Sequence, residues 1–205
     1  MKFLLAIASA LVLLAGGSAR ADANPAPAYR VVAQYPDFEL REYAPYIVAE
    51  VRVSGPFSEA GNQGFRILAG YIFGKNKGER QLAMSTPVTQ EAEPKKIAMT
   101  TPVTQEPAGA EQLLQFRMPE GFTLATLPEP LDPRVTFREI AGGRFAAIRY
   151  SGRWTDANYA EHLAILQNAV AAAGLRTSGE PVFARYNPPL TPWFLRRNEI
   201  WLKVD

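Results

Sequence analysis

The fold of this chain is indicated by a segment that occurs twice, LREYAPYIVAEVRVSGPFSEA at residues 40–60 and FREIAGGRFAAIRYSGRWTDA at residues 137–157. The two copies align without a gap at a spacing of 97 residues, and eight of their 21 positions are identical. Several of the changes are conservative, for example Phe57 to Trp154. We interpret the repeat as an internal duplication, which predicts two similar halves packed about a pseudo-twofold axis.

Each copy has the pattern of two strands followed by a helix. Ser58 and Thr155 are predicted helix N-caps, because a hydroxyl oxygen accepts hydrogen bonds from the first turn of a helix. Apolar residues then recur at three- and four-residue spacing, which predicts one long helix in each half. The half-repeats span about residues 35–75 and 132–175, and the order of elements predicts an α+β domain. β-favouring residues predict strands at 38–43, 46–53, 113–118, 134–140, 144–150, 181–186 and 199–204.

The N-terminus has the pattern of a secretory signal peptide. Lys2 precedes an apolar run at residues 3–15, which is shorter than the roughly 20 residues that span a bilayer. We expect a signal peptide at residues 1–21, cut after Ala21 or alternatively after Ala23, and a Pro/Ala-rich tether at residues 22–34 before a domain at 35–205. The mature chain is therefore predicted to be exported without a membrane span: periplasmic in a Gram-negative bacterium, and otherwise secreted.

The composition excludes several classes of function. Without the predicted signal peptide the chain carries 20 basic and 20 acidic residues, and it has no basic run, so no nucleic-acid partner is predicted. The absence of cysteine rules out disulfides, thiolate catalysis and thioether-linked haem. One histidine, His162, is too few for a multi-histidine metal centre. None of the common catalytic motifs is present, so the chain is not predicted to be an enzyme.

A second, tighter duplication and two motifs near the C-terminus carry a family resemblance. AMSTPVTQE at residues 83–91 is followed by AMTTPVTQE at residues 98–106, and YNPP at 186–189 precedes RNEIWL at 197–202. With these elements the chain resembles the SOUL haem-binding family from about Tyr35 to Lys203. The resemblance implies a duplicated βαββ unit that forms a distorted antiparallel sheet or open barrel with two long helices packed on it.

The resemblance also implies reversible, non-covalent binding of haem or a related tetrapyrrole, with iron present only as part of the haem. The expected groove lies beside the first long helix, and the loop after the YNPP motif is its other expected wall. Arg66 and Lys75 are candidates to pair the propionates. The predicted binding residues are Phe65, Leu68, Ala69, Ile72, Arg66, Trp193 and Phe194.

Iron ligation is a separate question, because a haem held axially needs a His, Met, Tyr or thiolate donor. At the spacing of 97, His162 is the residue of the second copy that corresponds to Phe65, which makes this imidazole a candidate axial ligand or a packing residue. Met84 and Met99 are alternative thioether donors or core residues. The implied role is that of a carrier, buffer or scavenger of tetrapyrroles. The alternative is a general binder of flat aromatic molecules, since the architecture also resembles the effector-binding domains of drug-responsive regulators.

Overall fold

The structure, a computed structural model, describes residues 29–78, 94–188 and 190–205. The predicted signal peptide, the first copy of the tight repeat with Met84, and Pro189 lie outside these residues. Within them the elements follow the chain as β1 (Tyr29–Gln34), β2 (Glu39–Tyr43), β3 (Tyr46–Ser54), α1 (Phe57–Ile72), β4 (Val103–Ala108), β5 (Glu111–Arg117), β6 (Thr136–Ile140), β7 (Gly143–Tyr150), α2 (Asp156–Ala172), β8 (Thr177–Arg185), a 3-10 turn (Trp193–Leu195) and β9 (Asn198–Val204).

The strand order confirms the predicted duplication. The strands form one antiparallel sheet in the order β1-β2-β7-β9-β8-β4-β5-β3-β6. β4 and β8 lie side by side at the centre, and the sequence β5-β3-β6 on one side mirrors β9-β7-β2 on the other. Each half contains one βαββ unit, β3-α1-β4-β5 or β7-α2-β8-β9. The strand before each unit pairs with the opposite half, β2 with β7 and β6 with β3. This is the α+β architecture that the sequence predicts.

Both helices pack on the same face of the curled sheet. Alternate side chains of each strand point to this face and to the opposite one. Leu68 and Ile72 of α1 pack into one apolar cluster, and Leu166 and Val170 of α2 pack into another. On β9, Ile200 belongs to the α2 cluster. On the opposite face no helix packs among the described residues, and we call this the inner face. Its aromatic and small residues form a third cluster of Tyr43, Ala147, Ala184, Tyr186 and Trp201.

Three features differ from the sequence prediction. Tyr29–Gln34 forms strand β1 instead of the second half of the tether, because this stretch has no proline and pairs along β2. Strand β4 was not predicted, since Gln105-Glu106-Pro107 carries no β signal. The N-cap of α1 is Pro56, and Ser58 lies inside the first turn. Thr155 is confirmed as the N-cap of α2, where its side chain accepts a hydrogen bond from the Asn158 backbone N–H.

Candidate functional site

A pocket lies on the helix face where β4 meets β8, beside the N-terminal half of α1. Since β4 and β8 belong to different halves, we call it the seam pocket. It encloses about 50 Å³, and its walls are largely apolar. The lining residues are Gly61, Asn62, Phe65, Val103, Gln105, Leu114, Trp154, Arg185 and Asn187.

The pocket is open because α1 approaches the sheet at a glycine. A Cβ atom at Gly61 would lie 2.7 Å from Gln105 Oε1 and 3.1 Å from Arg185 Nη1. These contacts are closer than carbon and a polar atom normally approach, so a side chain there would displace both groups. Gly61 therefore leaves the polar ends of Gln105 and Arg185 facing the space beside the helix.

Arg185 places a positive charge in this apolar pocket. Its guanidinium lies 4.9 Å from the Trp154 ring and 5.5 Å from the Phe57 ring. Among the described residues no carboxylate contributes to its environment. Burial, with a smaller contribution from the nearby positive charge of Arg196, lowers the pKa of Arg185 to about 10. Arg185 remains charged at neutral pH, and an anion in the pocket would gain a partly desolvated partner.

Trp154 forms a rigid wall of the pocket. Its indole N–H donates a hydrogen bond to Asn198 Oδ1 at 2.8 Å, which fixes the ring plane. The Arg196 guanidinium lies 4.1 Å from the ring, so two guanidinium groups contact this indole. A planar apolar ligand beside Arg185 would meet the side chain of Trp154 without reorganising it.

Gln105 supplies an acceptor without a donor. Its Nε2 donates to the Phe57 backbone oxygen at 2.8 Å and to Gln112 Oε1 at 3.3 Å. Its Oε1 is buried and has no hydrogen-bond partner. Because an unsatisfied buried oxygen costs free energy, an N–H or O–H of a ligand at this place would be favoured. The pocket thus offers a cation, an acceptor and an apolar wall.

Comparison with known proteins identifies the family. A family model described as SOUL heme-binding protein matches residues 24–203. The chain belongs to the SOUL family. It is 27% identical over 165 residues to Heme-binding protein 1 of Xenopus laevis, an alignment that covers 80% of this chain and 82% of the relative.

Two solved structures share the fold at low sequence identity. The crystal structure of a hydrolase from Listeria innocua has a TM-score of 0.56 and 13% identity, and the match covers 85% of this chain and 94% of that chain. The EcmrR C-terminal domain has a TM-score of 0.57 and 13% identity, with 86% and 98% coverage. At this identity the likeness concerns the fold alone.

The apolar groove residues predicted on α1 separate into two environments. Phe65 lines the seam pocket and packs against Phe116 with 5.5 Å between ring centroids. Leu68, Ala69 and Ile72 are buried in the core beneath the helix and do not line the pocket. Three- and four-residue spacing marks the side of a helix that faces the core. The four apolar residues were chosen by this spacing, and of these only Phe65 lies at the edge of the core where the seam pocket opens.

The predicted basic and loop residues of the SOUL groove also lie away from the pocket. Arg66 is exposed on the solvent side of α1. Trp193 and Phe194 pack edge to face at 5.5 Å and are 49% and 59% exposed in the 3-10 turn. Arg153 lies over the Trp193 ring at 5.6 Å. Trp154 and Asn187, rather than this turn, line the seam pocket.

His162 does not line the seam pocket. Its ring stacks on Tyr150 at 4.1 Å, and its Nδ1 lies 2.7 Å from the Asn158 carbonyl oxygen. A carbonyl oxygen only accepts, so Nδ1 carries the proton there. Met99 packs at the edge of the α1 cluster. In the part of the chain that the structure describes, no group of three His, Cys, Asp or Glu side chains could hold a metal ion, and no helix is long and apolar enough to cross a membrane.

Sequence reasoning missed the polar residues of the site. Trp154 aligns with Phe57 in the repeat, which marked it as an aromatic position without indicating which cavity it faces. Arg185 directly precedes the YNPP motif, and Gln105 lies within the second copy of the tight repeat. Their meeting depends on the pairing of β4 with β8, which places Val103 opposite Arg185 and was not predicted.

Proposed function

We propose that this SOUL-family protein binds haem or a related tetrapyrrole reversibly and without covalent attachment, with one edge of the macrocycle in the seam pocket. The family membership and the names of its relatives support the ligand class. The role is binding and release, as a carrier, buffer or scavenger, and we propose no catalytic step. The sequence pattern of a signal peptide supports a location in the cell envelope.

The observation that carries the proposal is the partly buried guanidinium of Arg185 in the wall of a largely apolar pocket. A porphyrin is a flat apolar ring with carboxylates at one edge. Arg185 would pair one propionate, while Trp154 and Phe65 would contact the ring. Ion pairs of this kind are stronger in a partly desolvated pocket than in water.

The size of the pocket determines how a macrocycle would fit. Pockets that enclose drug-sized ligands hold about 300–1,000 Å³, whereas the seam pocket encloses about 50 Å³. It would therefore receive one edge of the macrocycle, with the rest against the open surface beside α1. Haem would bring its iron as a redox-active and ligand-binding centre. The groups that line the pocket act on the ring and its carboxylates, and such shallow binding favours exchange.

The same guanidinium bears on the alternative of a binder of flat aromatic cations. A cation in the seam pocket would lie beside Arg185 and be repelled, and the described lining residues include no carboxylate. The seam pocket thus favours an anionic planar ligand over a cationic one.

A haemin titration followed by the Soret band tests the proposal. The wild-type protein should show a saturable one-to-one change. Arg185→Glu should weaken binding by about a hundredfold, because a like charge replaces the partner of the propionate. Arg176→Glu is the matched control, since Arg176 is exposed and away from the pocket. A flat titration of the wild type, or equal affinity for the two variants, would contradict the proposal.

A further inference from the structure

The inner face of the sheet holds a larger cavity than the helix face. It measures about 280 Å³, and we call it the inner cavity. Three aromatic side chains, Tyr46, Phe145 and Trp201, contribute to its walls. A small adjoining recess shares Tyr46, Thr104 and Trp201 with it and ends at Arg117. The cavity and its recess lie on the side of the sheet away from α1, so they are separate from the seam pocket.

Arg117 brings a buried donor without a partner to one end of this space. Its Nη1 is buried and makes no hydrogen bond. The guanidinium lies 5.0 Å from the Tyr46 ring, and its side chain is only 12% exposed. Its nearest carboxylate is that of Glu120, which is 3.8 Å away and 85% exposed. Such a solvated and distant carboxylate neutralises the guanidinium weakly.

Glu106 brings a partly buried carboxylate to the other end. No hydrogen bond satisfies it among the described residues, and its nearest cation is Arg138 at 4.0 Å. Arg138 is already held by Glu50, with its Nε at 3.0 Å and its Nη2 at 2.9 Å from Glu50 Oε2. Burial raises the pKa of Glu106, which Arg138 only partly offsets. A cationic ligand group would therefore gain a carboxylate that the protein leaves largely unpaired.

The sheet register keeps these two groups apart. Glu106 lies opposite Leu113 in the β4–β5 pair, and Arg117 is four residues further along β5, or about 13 Å along the strand. Thr104 and Gln115 lie between them on the same face. They are hydrogen-bonded to each other, Thr104 Oγ1 to Gln115 Oε1, at 3.3 Å. The other charged lining residues, Glu139, Glu180 and Lys203, are exposed.

We propose that the inner cavity is a second binding site, for a small aromatic molecule that carries a carboxylate at one end and an ammonium group at the other. Arg117 would receive the carboxylate, Glu106 the ammonium group, and Tyr46, Phe145 and Trp201 the ring. The proposal does not rest on tetrapyrrole binding, because none of these residues lines the seam pocket.

Three probes that share one ring test the proposal: 4-(aminomethyl)benzoate, benzoate and benzylamine, titrated into the full chain by ligand-observed NMR. We expect 4-(aminomethyl)benzoate to bind at least about tenfold more tightly than either singly charged probe, because it alone satisfies both ends. Haemin-saturated protein should give the same affinities. Equal affinity of the wild-type protein for the three probes, or no saturable binding of 4-(aminomethyl)benzoate, would by itself overturn the proposal.

Two variants then assign the ends. Arg117→Gln should lower affinity for 4-(aminomethyl)benzoate and benzoate about tenfold and leave benzylamine unchanged. Glu106→Gln should lower affinity for 4-(aminomethyl)benzoate and benzylamine about tenfold and leave benzoate unchanged. Arg176→Gln and Glu161→Gln remove the same charges at exposed positions and should change nothing. A uniform loss for all three probes in folded Arg117→Gln or Glu106→Gln would overturn the assignment.

Discussion

The two halves of the sheet carry the same arginine in different surroundings. Arg41 and Arg138 are 97 residues apart in the repeat, yet Arg41 is buried and Arg138 has a half-exposed side chain. Arg41 Nη1 donates to Glu199 Oε2 at 2.7 Å, and the ring of Tyr29 on β1 covers its guanidinium at 4.3 Å. Arg138 pairs with Glu50 at the rim of the inner cavity. β1 closes over Arg41, whereas among the described residues no strand covers Arg138 in this way, and Arg138 lines a cavity.

The helix face shows the same kind of difference. Fully buried Leu68 of α1 and Leu166 of α2 are 98 residues apart, and so are Ile72 and Val170. At that spacing Gly61 corresponds to Tyr159. The Tyr159 ring stacks on Phe183 and fills the space beside α2, whereas Gly61 leaves the seam pocket open. On each face of the sheet, a candidate site lies in one half of the repeat at a place where an aromatic ring, Tyr159 or Tyr29, fills the equivalent space in the other half.

The largest difference between the halves should appear in stability. Glu199→Gln should cost about 3–5 kcal/mol of unfolding free energy, because it removes the fully buried carboxylate that pairs with Arg41 and Arg197, and the buried Arg41 then keeps only the more exposed Glu39 as an ionic partner among those the structure shows. Glu50→Gln removes the partner of the more exposed Arg138 and should cost less than about 1 kcal/mol. Urea unfolding at pH 7 measures both. Equal losses would mean that the two arginines are equivalent.

The same variant should change the acid response. Burial opposes ionisation of Glu199, but hydrogen bonds and charge from Arg41 and charge from Arg197 hold its pKa below the ordinary 4.5. Because the folded pKa is the lower one, this stabilisation is present above about pH 4.5 and is lost as pH falls through the folded pKa. We expect Glu199→Gln to flatten the acid limb of a plot of unfolding free energy against pH. An unchanged acid limb would exclude Glu199 as its source.

Placing a charge on the apolar face of each helix in turn distinguishes residues that bind the ligand from residues that only stabilise the core. Phe65→Asp places a carboxylate in the seam pocket and should weaken haemin binding about a hundredfold. Leu163→Asp, at the corresponding position of α2, packs in the other cluster and should reduce stability without changing the affinity of the folded protein. The measurements are a Soret titration and thermal unfolding of each variant. Equal loss of affinity in both would mean that the effect is general destabilisation.

Filling the seam pocket with the ring that α2 carries tests the comparison of the two helices directly. Gly61→Tyr gives α1 the residue that α2 carries at this place, and its ring would displace the ends of Gln105 and Arg185. We expect the helix to tolerate the change, since both neighbours are ends of long side chains, and haemin affinity to fall about tenfold. Gln63→Tyr, on the exposed side of α1, is the control in the same titration. Unchanged affinity in Gly61→Tyr would place the ligand elsewhere.

The strands could be predicted closely from the sequence because their duplication is ungapped. β2 and β6, and the starts of β3 and β7, keep the spacing of 97, and the alternation of each strand fixes its two faces. β4 escaped prediction because Gln105-Glu106-Pro107 has poor β propensity and is held by its neighbours. The pairing of β4 with β8 is a long-range contact, and no local pattern indicates it. The polar residues of the seam pocket depend on that pairing.

The helices show where the repeat stops being a guide. α1 begins at Phe57 and α2 at Asp156, which are 99 residues apart, because Pro56 caps the first helix and Thr155 the second. A helix turns about 100° per residue, so a shift of one or two positions moves a side chain to another face. The spacing of 97, at which His162 corresponds to Phe65, therefore does not pair equivalent positions of the two folded helices.

The smallest expected effect concerns His162, for which the sequence spacing and the structure make different predictions. His162→Ala should change the haemin affinity by less than about twofold and leave the Soret band at the same wavelength, because the imidazole stacks on Tyr150 outside the seam pocket. Loss of the stack should cost about 1 kcal/mol of stability, and His162→Phe, which keeps an aromatic ring, should restore part of it. A Soret shift that disappears in both variants would instead show that the imidazole ligates iron, and would require the macrocycle to lie beside α2, in the half that the structure shows filled.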